Sequence, residues 1–251
     1  MEALRKHCTG LTELRLREVE KLDDGFVDVI KRVGGLTHLD LGHPMASMSE
    51  EALVDLMDAA GEGFKHLDLS GHTLLTDSFL IDGIKAHARE LTELALSNVP
   101  LLTDEGVAEF FDTWAIKDEN DSSMPNPPLT ALDLSRNTNL SSSALIAILS
   151  HSGKALTHLN INGWKTTSEE SLSRIPGRAK ELRWLDVGWC REMDNFIVKA
   201  IMEKCKMIKE VKVWGCNRLT EHCPRKVSLW FSFLRFHLVC VPAHRSLYRE
   251  T

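Results

Sequence analysis

Two groups of residues in this 251-residue chain have the types and local density to do chemistry. The first lies in "LDVGWCREMDNFIVKAIMEKCKMIKEVKVWGCNRLTEHCP", Leu185–Pro224, which packs four of the chain's six cysteines into 34 residues, with His222 beside the last. Four thiolates, or three and an imidazole, are the donor set of a structural zinc site, provided that they converge on one tetrahedron. The second is His38, Asp40, His66 and Asp68, the same His-x-Asp order in two stretches 28 residues apart, which in principle would hold a divalent metal. Beyond these the chain carries no nucleophile motif, no glycine-rich phosphate loop and no His/Glu pair at metal-ligand spacing. Whether either group can act depends on the elements that position it.

Those elements are set by a repeat. "LTELRL" from Leu11, "LTHLDL" from Leu36, "FKHLDL" from Phe64 and "LTELAL" from Leu91 align with "LTALDL" from Leu129, "LTHLNI" from Leu156, "LRWLDV" from Leu182 and "IKEVKV" from Ile208. The intervals are 25, 28, 27, 38, 27, 26 and 26 residues. This is the pattern of an α/β leucine-rich repeat solenoid, with a parallel concave sheet, convex helices and about eight repeats of 25–28 residues. The repeats occupy residues 1–223. The long interval holds an acidic, proline-rich insertion at 117–128, read as an exposed loop, and residues 224–251 form an atypical tail.

Each unit has a physical logic. The second and third apolar positions flank a short strand whose intervening side chains face the concave surface. A convex helix follows, as in "LTDEGVAEFF" and "MDNFIVKAIMEKC", where Thr103–Asp104 and Asp194 supply caps for unpaired N–H groups. Phe196, Ile197, Ala200 and Ile201 have the spacing of one buried helix face. Cys190 and Cys216 stand three residues after the third apolar position of their repeats, a slot held by Asn137 and His72 elsewhere. That slot turns inward and satisfies turn backbone. Cys8 and Cys205 fall at the ends of convex helices, on the other side of the core. The thiols therefore do not converge, and neither zinc nor any other cofactor is expected. The His/Asp quartet belongs to two columns of concave positions and reads as a solvated polar ladder on an open face, which implies neither catalysis nor a small-molecule substrate.

What remains is binding. Residues 1–177 hold 15 Lys/Arg against 28 Asp/Glu, while residues 178–251 hold 15 against 8. The acidic part repels phosphates, so any contact with DNA is confined to the basic C-terminal third. There Trp184, Trp189 and Trp214 lie beside Arg183, Lys209 and Lys212. Trp184 and Trp214 are expected on adjacent strands, facing outward, where core packing does not account for them. Exposed tryptophans with cations suit a protein interface, and also base stacking with phosphate contacts; covering by the tail is the third possibility. The acidity of the preceding repeats favours protein.

The ends differ from the repeats. "MEALRKHC" reads as the second half of a convex helix, so the chain is expected to start within a repeat. It lacks the apolar run of a signal peptide, and the sparse cysteines point to a reducing compartment. "VSLWFSFLRFHLVCVPAHRSLYRET" is too short and too charged for a membrane span. It reads as a cap on the last repeat, a membrane-surface segment or an unrelated read-through.

The Cys/Asn slot, helix starts such as "LTDEGV" and "LTDSFL", and 26-residue units resemble the cysteine-containing leucine-rich repeats of F-box-type proteins across most of residues 1–223. "LDVGWCREMDN" and "VKVWGCNRLTEHC" narrow this, resembling the last repeats of the fungal "Rad-seven" type family of global-genome nucleotide excision repair. The resemblance implies a nuclear, non-catalytic scaffold that works with a Snf2-type ATPase and an elongin-C/cullin ubiquitin ligase. The alternative is the substrate receptor of an SCF-type ligase, its F-box upstream and its concave Asp/His columns holding a basic degron.

Overall fold

The computed structural model describes residues 10–19, 23–44, 48–114 and 128–224, together with the backbone of Ser228–Trp230. Cys8, most of the 117–128 insertion and most of the tail lie outside the described residues.

Every repeat core becomes a three-residue strand: β1 Glu13–Arg15, β2 His38–Asp40, β3 His66–Asp68, β4 Glu93–Ala95, β5 Ala131–Asp133, β6 His158–Asn160, β7 Trp184–Asp186 and β8 Glu210–Lys212. The strand is centred on the second apolar position, and the third follows one residue later. All pair in parallel and in sequence order, and Leu14, Leu39, Leu67, Leu94, Leu132, Leu159, Leu185 and Val211 fall in one column. Parallel neighbours need a crossover. Here it is a convex helix: α1 Val27–Val33, α2 Glu50–Ala60, a π-helix Phe79–Lys85, α3 Asp104–Thr113, α4 Ser142–His151, α5 Glu169–Arg178 and α6 Asn195–Lys204. The sheet also runs past Cys223. Ser228–Trp230 forms β9, in register with Glu210–Lys212, only 18 residues on from β8. That interval is shorter than any other in the stack.

Two ladders of side-chain bonds join the repeats. On the inner side, the slot residue donates to the carbonyl of the third apolar residue one repeat back. His72 Nε2 reaches Leu41 O at 3.1 Å, Asn137 Nδ2 reaches Leu96 O at 2.8 Å, and Trp164 Nε1 reaches Leu134 O at 2.9 Å. Cys190 Sγ lies 3.6 Å from Ile161 O, and Cys216 Sγ 3.2 Å from Val187 O. Asn137 does most: it also donates to Leu134 O at 3.0 Å and accepts from Val99 N at 2.7 Å. Trp164 occupies the same slot, although its size hides it among the apolar residues of the sequence.

The second ladder runs along the helix starts. The first or second residue of one helix start bonds the capping residue of the next: Asp24 accepts from Ser49 N at 2.7 Å, Asp77 from Thr103 N at 2.9 Å and Asp104 from Ser141 N at 2.6 Å; Asn195 accepts in the same way from Thr220 N at 3.1 Å, in the loop after β8. Gly106 makes room for this, since a Cβ there would lie 2.0 Å from Asp77 Cγ. Burial pushes the Asp104 carboxyl up, but bonds from Ser141, Ala144 and Ser143 outweigh it and hold the group below its ordinary range. The ladder breaks where Glu169 would meet Asp194, two acids; there Arg218 contacts both Glu169 and Glu192.

One packing expectation fails. Phe196 is 81% exposed, and the buried face of α6 is Ile197, Val198 and Ile201. The cap at Asp194 fixes the helix phase by accepting from Ile197 N at 2.9 Å, and that phase turns position 196 outward.

Two outcomes follow for the slot. Asn137→Ala leaves buried carbonyls and one N–H unpaired and is expected to destabilise the fold by about 3 kcal/mol in urea denaturation. Burial lowers the His72 pKa from its ordinary 6.5, so in the window below 6.5 the unfolded chain binds a proton that the folded chain refuses. Stability from this residue is complete above that window and declines as pH falls through it. His72→Asn keeps an amide donor for Leu41 O and does not titrate, so denaturation midpoints measured between about pH 7.5 and 5.5 should vary less in the variant.

Candidate functional site

The register places the concave residues in two columns: Glu13, His38, His66, Glu93, Ala131, His158, Trp184, Glu210, and Arg15, Asp40, Asp68, Ala95, Asp133, Asn160, Asp186, Lys212. The second column is not the solvated ladder expected from sequence. Asp40, Asp68 and Asp186 are buried. Each carboxylate accepts from the backbone N–H two residues on: Gly42 at 3.0 Å, Ser70 at 2.9 Å and Gly188 at 2.9 Å. Asp133 and Asn160 make the same turn bond, at 2.9 and 3.1 Å. These are turn-forming acids, used as Asp is used at any tight turn.

The His/Asp quartet is divided among other partners. Arg17 bonds Asp40 through Nε at 2.5 Å and Asp68 through its terminal nitrogen. His66 Nδ1 lies 2.9 Å from Glu93 Oε2, and that bond holds the Glu93 carboxyl below its ordinary range. His38 stacks on His66, ring centroids 5.9 Å apart. The cysteines are likewise dispersed: Cys205 donates to Ala179 O at 3.2 Å, away from the carbonyls used by Cys190 and Cys216. Burial raises all three thiols, Cys205 to about 11 and Cys216 to about 12, which leaves them protonated at neutral pH.

The C-terminal aromatic group is a different case. Trp184, on β7, is half-buried, with Lys212 Nζ 5.0 Å from its ring centroid. Trp214 is not on a strand; it lies in the turn after β8, two residues beyond Lys212. It sits beside Trp189, whose N–H donates to Trp214 O at 2.6 Å and whose ring lies over Gly215. Trp189 is 45% and Trp214 48% exposed. Arg183 and Lys209 are exposed, one residue ahead of β7 and β8, and Lys209 N bonds Arg183 O at 2.8 Å. Burial lowers the His158 pKa, Glu93 opposes this, and the positive charges of Arg183 and Lys209 add to it. The structure thus brings Arg183, Trp184, Lys209 and Lys212 to one end of the concave face, with Trp189 and Trp214 on its rim.

Trp189 shares a backbone feature with one residue of every repeat. Every repeat places one residue in the left-handed region at the same turn position: Glu18, His43, Gly71, Asn98, Arg136, Gly163, Trp189 and Gly215. Gly and Asn suit it. Trp189, at φ 63°, is a bulky residue on a conformation that penalises it, with its ring left largely in water. Periodicity of apolar residues carries no sign of this, because φ is set by the turn.

The stacked parallel strands, convex helices and inward slot define a leucine-rich repeat protein. No protein-family model matches the chain. Over 84% of its length it is homologous to the Rad7/Rhp7 DNA repair proteins: it is 30% identical across 213 residues to DNA repair protein rhp7 of Schizosaccharomyces pombe and 24% identical across 186 residues to DNA repair protein RAD7 of Saccharomyces cerevisiae. It spans about a third of those relatives, 36% and 31% of their lengths. The crystal structure of the yeast Rad7 and Elc1 complex superposes on 91% of this chain and 56% of the compared chain, with a TM-score of 0.75 and 22% identity. The leucine-rich repeat protein LegL7 of Legionella pneumophila, at 18% identity and a TM-score of 0.51 over 81% of this chain and 64% of its own, shares the fold.

At an ordinary position Ala is more stable than Gly. At position 189 the order should reverse, with Trp189→Gly melting above Trp189→Ala by a difference worth about 1 kcal/mol, because only Ala pays for the left-handed backbone. Paired thermal melts read this directly.

Proposed function

We infer that the chain is the repeat portion of an interaction scaffold in nucleotide excision repair, acting in the nucleus and binding protein partners through the C-terminal end of its concave face. The observation that carries this reading is the homology to rhp7 across 213 residues. The protein in the compared yeast crystal is in complex with Elc1, which supports an elongin-C/cullin ligase as one partner of the full-length protein. A Snf2-type ATPase is the second partner implied. Damaged DNA is reached through these partners or at the basic C-terminal third. The reading is non-catalytic: the acids of the concave face are spent on turns and on Arg17, and the buried thiols are protonated.

The same facts weigh against a receptor for basic degrons. Asp40 and Asp68 already share the Arg17 guanidinium, and a basic peptide would have to displace it.

Affinity capture of the full-length protein from UV-treated nuclei, followed by mass spectrometry, tests the reading. Elongin C recovered with a Snf2-type ATPase is expected. An SCF adaptor and cullin without that ATPase would overturn it in favour of a degradation receptor. Trp184→Ala should reduce recovery of at least one partner several-fold, at an unchanged melting profile of the solenoid.

A further inference from the structure

The aromatic end of the concave face has chemistry enough to name what it holds. Three facts bear on it. Two tryptophans, Trp189 and Trp214, lie in consecutive turns on the rim and are both exposed, joined by the backbone bond from Trp189 N to Trp214 O, and the backbone under Trp189 is unfavourable to it. Neither burial nor turn geometry therefore accounts for that residue. Three cations, Arg183, Lys209 and Lys212, reach the same end of the face from adjacent repeats, while the neighbouring acid Asp186 is buried and bonded to Gly188 N and Asn162 Nδ2. Finally, Lys212 Nζ lies over Trp184 at 5.0 Å.

The last fact separates two ligand classes. A nucleobase needs a free aromatic face to stack on, and an ammonium covers one face of Trp184, which leaves only the rim tryptophans for stacking, away from Arg183 and Lys209 at the start of the strands. A carboxylate meets that same ammonium as a complementary charge, on a site whose aromatic base keeps the lysine in place. The track of positive charge is also short. Toward the N-terminus it stops at β7: β6 carries His158 and Asn160, and β5 and β4 carry Asp133 and Glu93. Toward the acidic repeats a polyphosphate backbone would run off it, whereas a peptide of a few residues fits within it.

We propose that this end of the solenoid is a docking site for an acidic peptide segment of a partner protein. Carboxylates of the segment meet Arg183, Lys209 and Lys212, and one aromatic or large aliphatic side chain beside them lies on the rim between Trp189 and Trp214. The proposal rests on the scaffold reading above and adds the chemistry of the partner to it. Glu210, 3.9 Å from Lys212 Nζ, is the internal competitor that an incoming carboxylate displaces.

Fluorescence anisotropy on the full chain tests it with four labelled probes: a ten-residue Asp/Glu peptide with one central Phe, the same peptide with Ala for Phe, a Lys peptide with the Phe, and a ten-nucleotide oligo-dT. The acidic Phe peptide should bind best, and weaken as salt rises. Removing the Phe, or introducing Lys212→Glu, should each weaken it about tenfold or more, as loss of an anchor does at an interface centre. Trp189→Gly should weaken it similarly, and its melting profile shows that the solenoid remains folded. Glu210→Gln should strengthen binding, a gain that damage to the fold cannot produce. Tighter binding of oligo-dT than of any peptide would overturn the proposal in favour of nucleic acid. Equal binding of the acidic and Lys peptides, or indifference to both Trp189→Gly and Lys212→Glu, would also overturn it. If partners are still captured from nuclei while no acidic peptide binds, the scaffold reading stands and this chemistry falls.

Discussion

The constraint on which this molecule depends is the pairing of backbone polar groups at the turn that follows each strand. A solenoid has no distant part of the chain to supply partners, so each repeat must satisfy its neighbour. The inward slot does so by sending one donor back to a buried carbonyl, and imidazole, amide, indole and thiol all serve. A lost bond of this kind costs more than a made one contributes, because the carbonyl cannot reach water. Five of the eight slots carry a side-chain donor that reaches. Val19, Pro44 and Val99 carry none, and at Val99 the backbone N–H is bonded instead by Asn137 of the following repeat.

The convex ladder obeys the same rule at the helix starts, where unpaired N–H groups would otherwise face the adjacent cap. Its acids bind across repeats, and Asp104 accepts from three residues of the next repeat. Part of the negative charge of residues 1–177 is thereby explained as cap chemistry: Asp24, Glu50, Asp77 and Asp104 each bond the helix start of the following repeat. The concave aspartates extend the explanation, since turns and Arg17 consume them. Charge counted from sequence overstates what a partner meets.

How legible was this in the sequence? The repeat, its strands, its convex helices and the donor role of Asn137, Cys190 and Cys216 follow from spacing alone, because period and slot are properties of the sequence. Three things do not. The burial of Asp40 and Asp68 depends on turn bonds that a strand-facing column does not announce. Phe196 is turned outward by a phase that the Asp194 cap sets, and apolar spacing fits either phase. Trp214 has the character of an exposed strand residue in sequence but stands in a turn, one residue past the apolar position that closes the strand. Each miss has the same origin: local hydrogen bonds fix orientation where side-chain polarity is ambiguous.

The same reasoning explains where binding capacity sits. Along most of the stack, polar side chains are committed to neighbours, and a partner would have to break bonds that hold the repeats together. At the C-terminal end the commitments thin out. The cap ladder is interrupted between Glu169 and Asp194, the turn acid of the last full strand is replaced by Lys212, and the left-handed position carries Trp189 where Gly or Asn would be more stable. Each of these substitutions gives up stability or internal pairing, and together they leave cations and aromatic rings available on one surface. The docking site proposed above falls there because its cations and aromatic rings are the ones the repeats do not use.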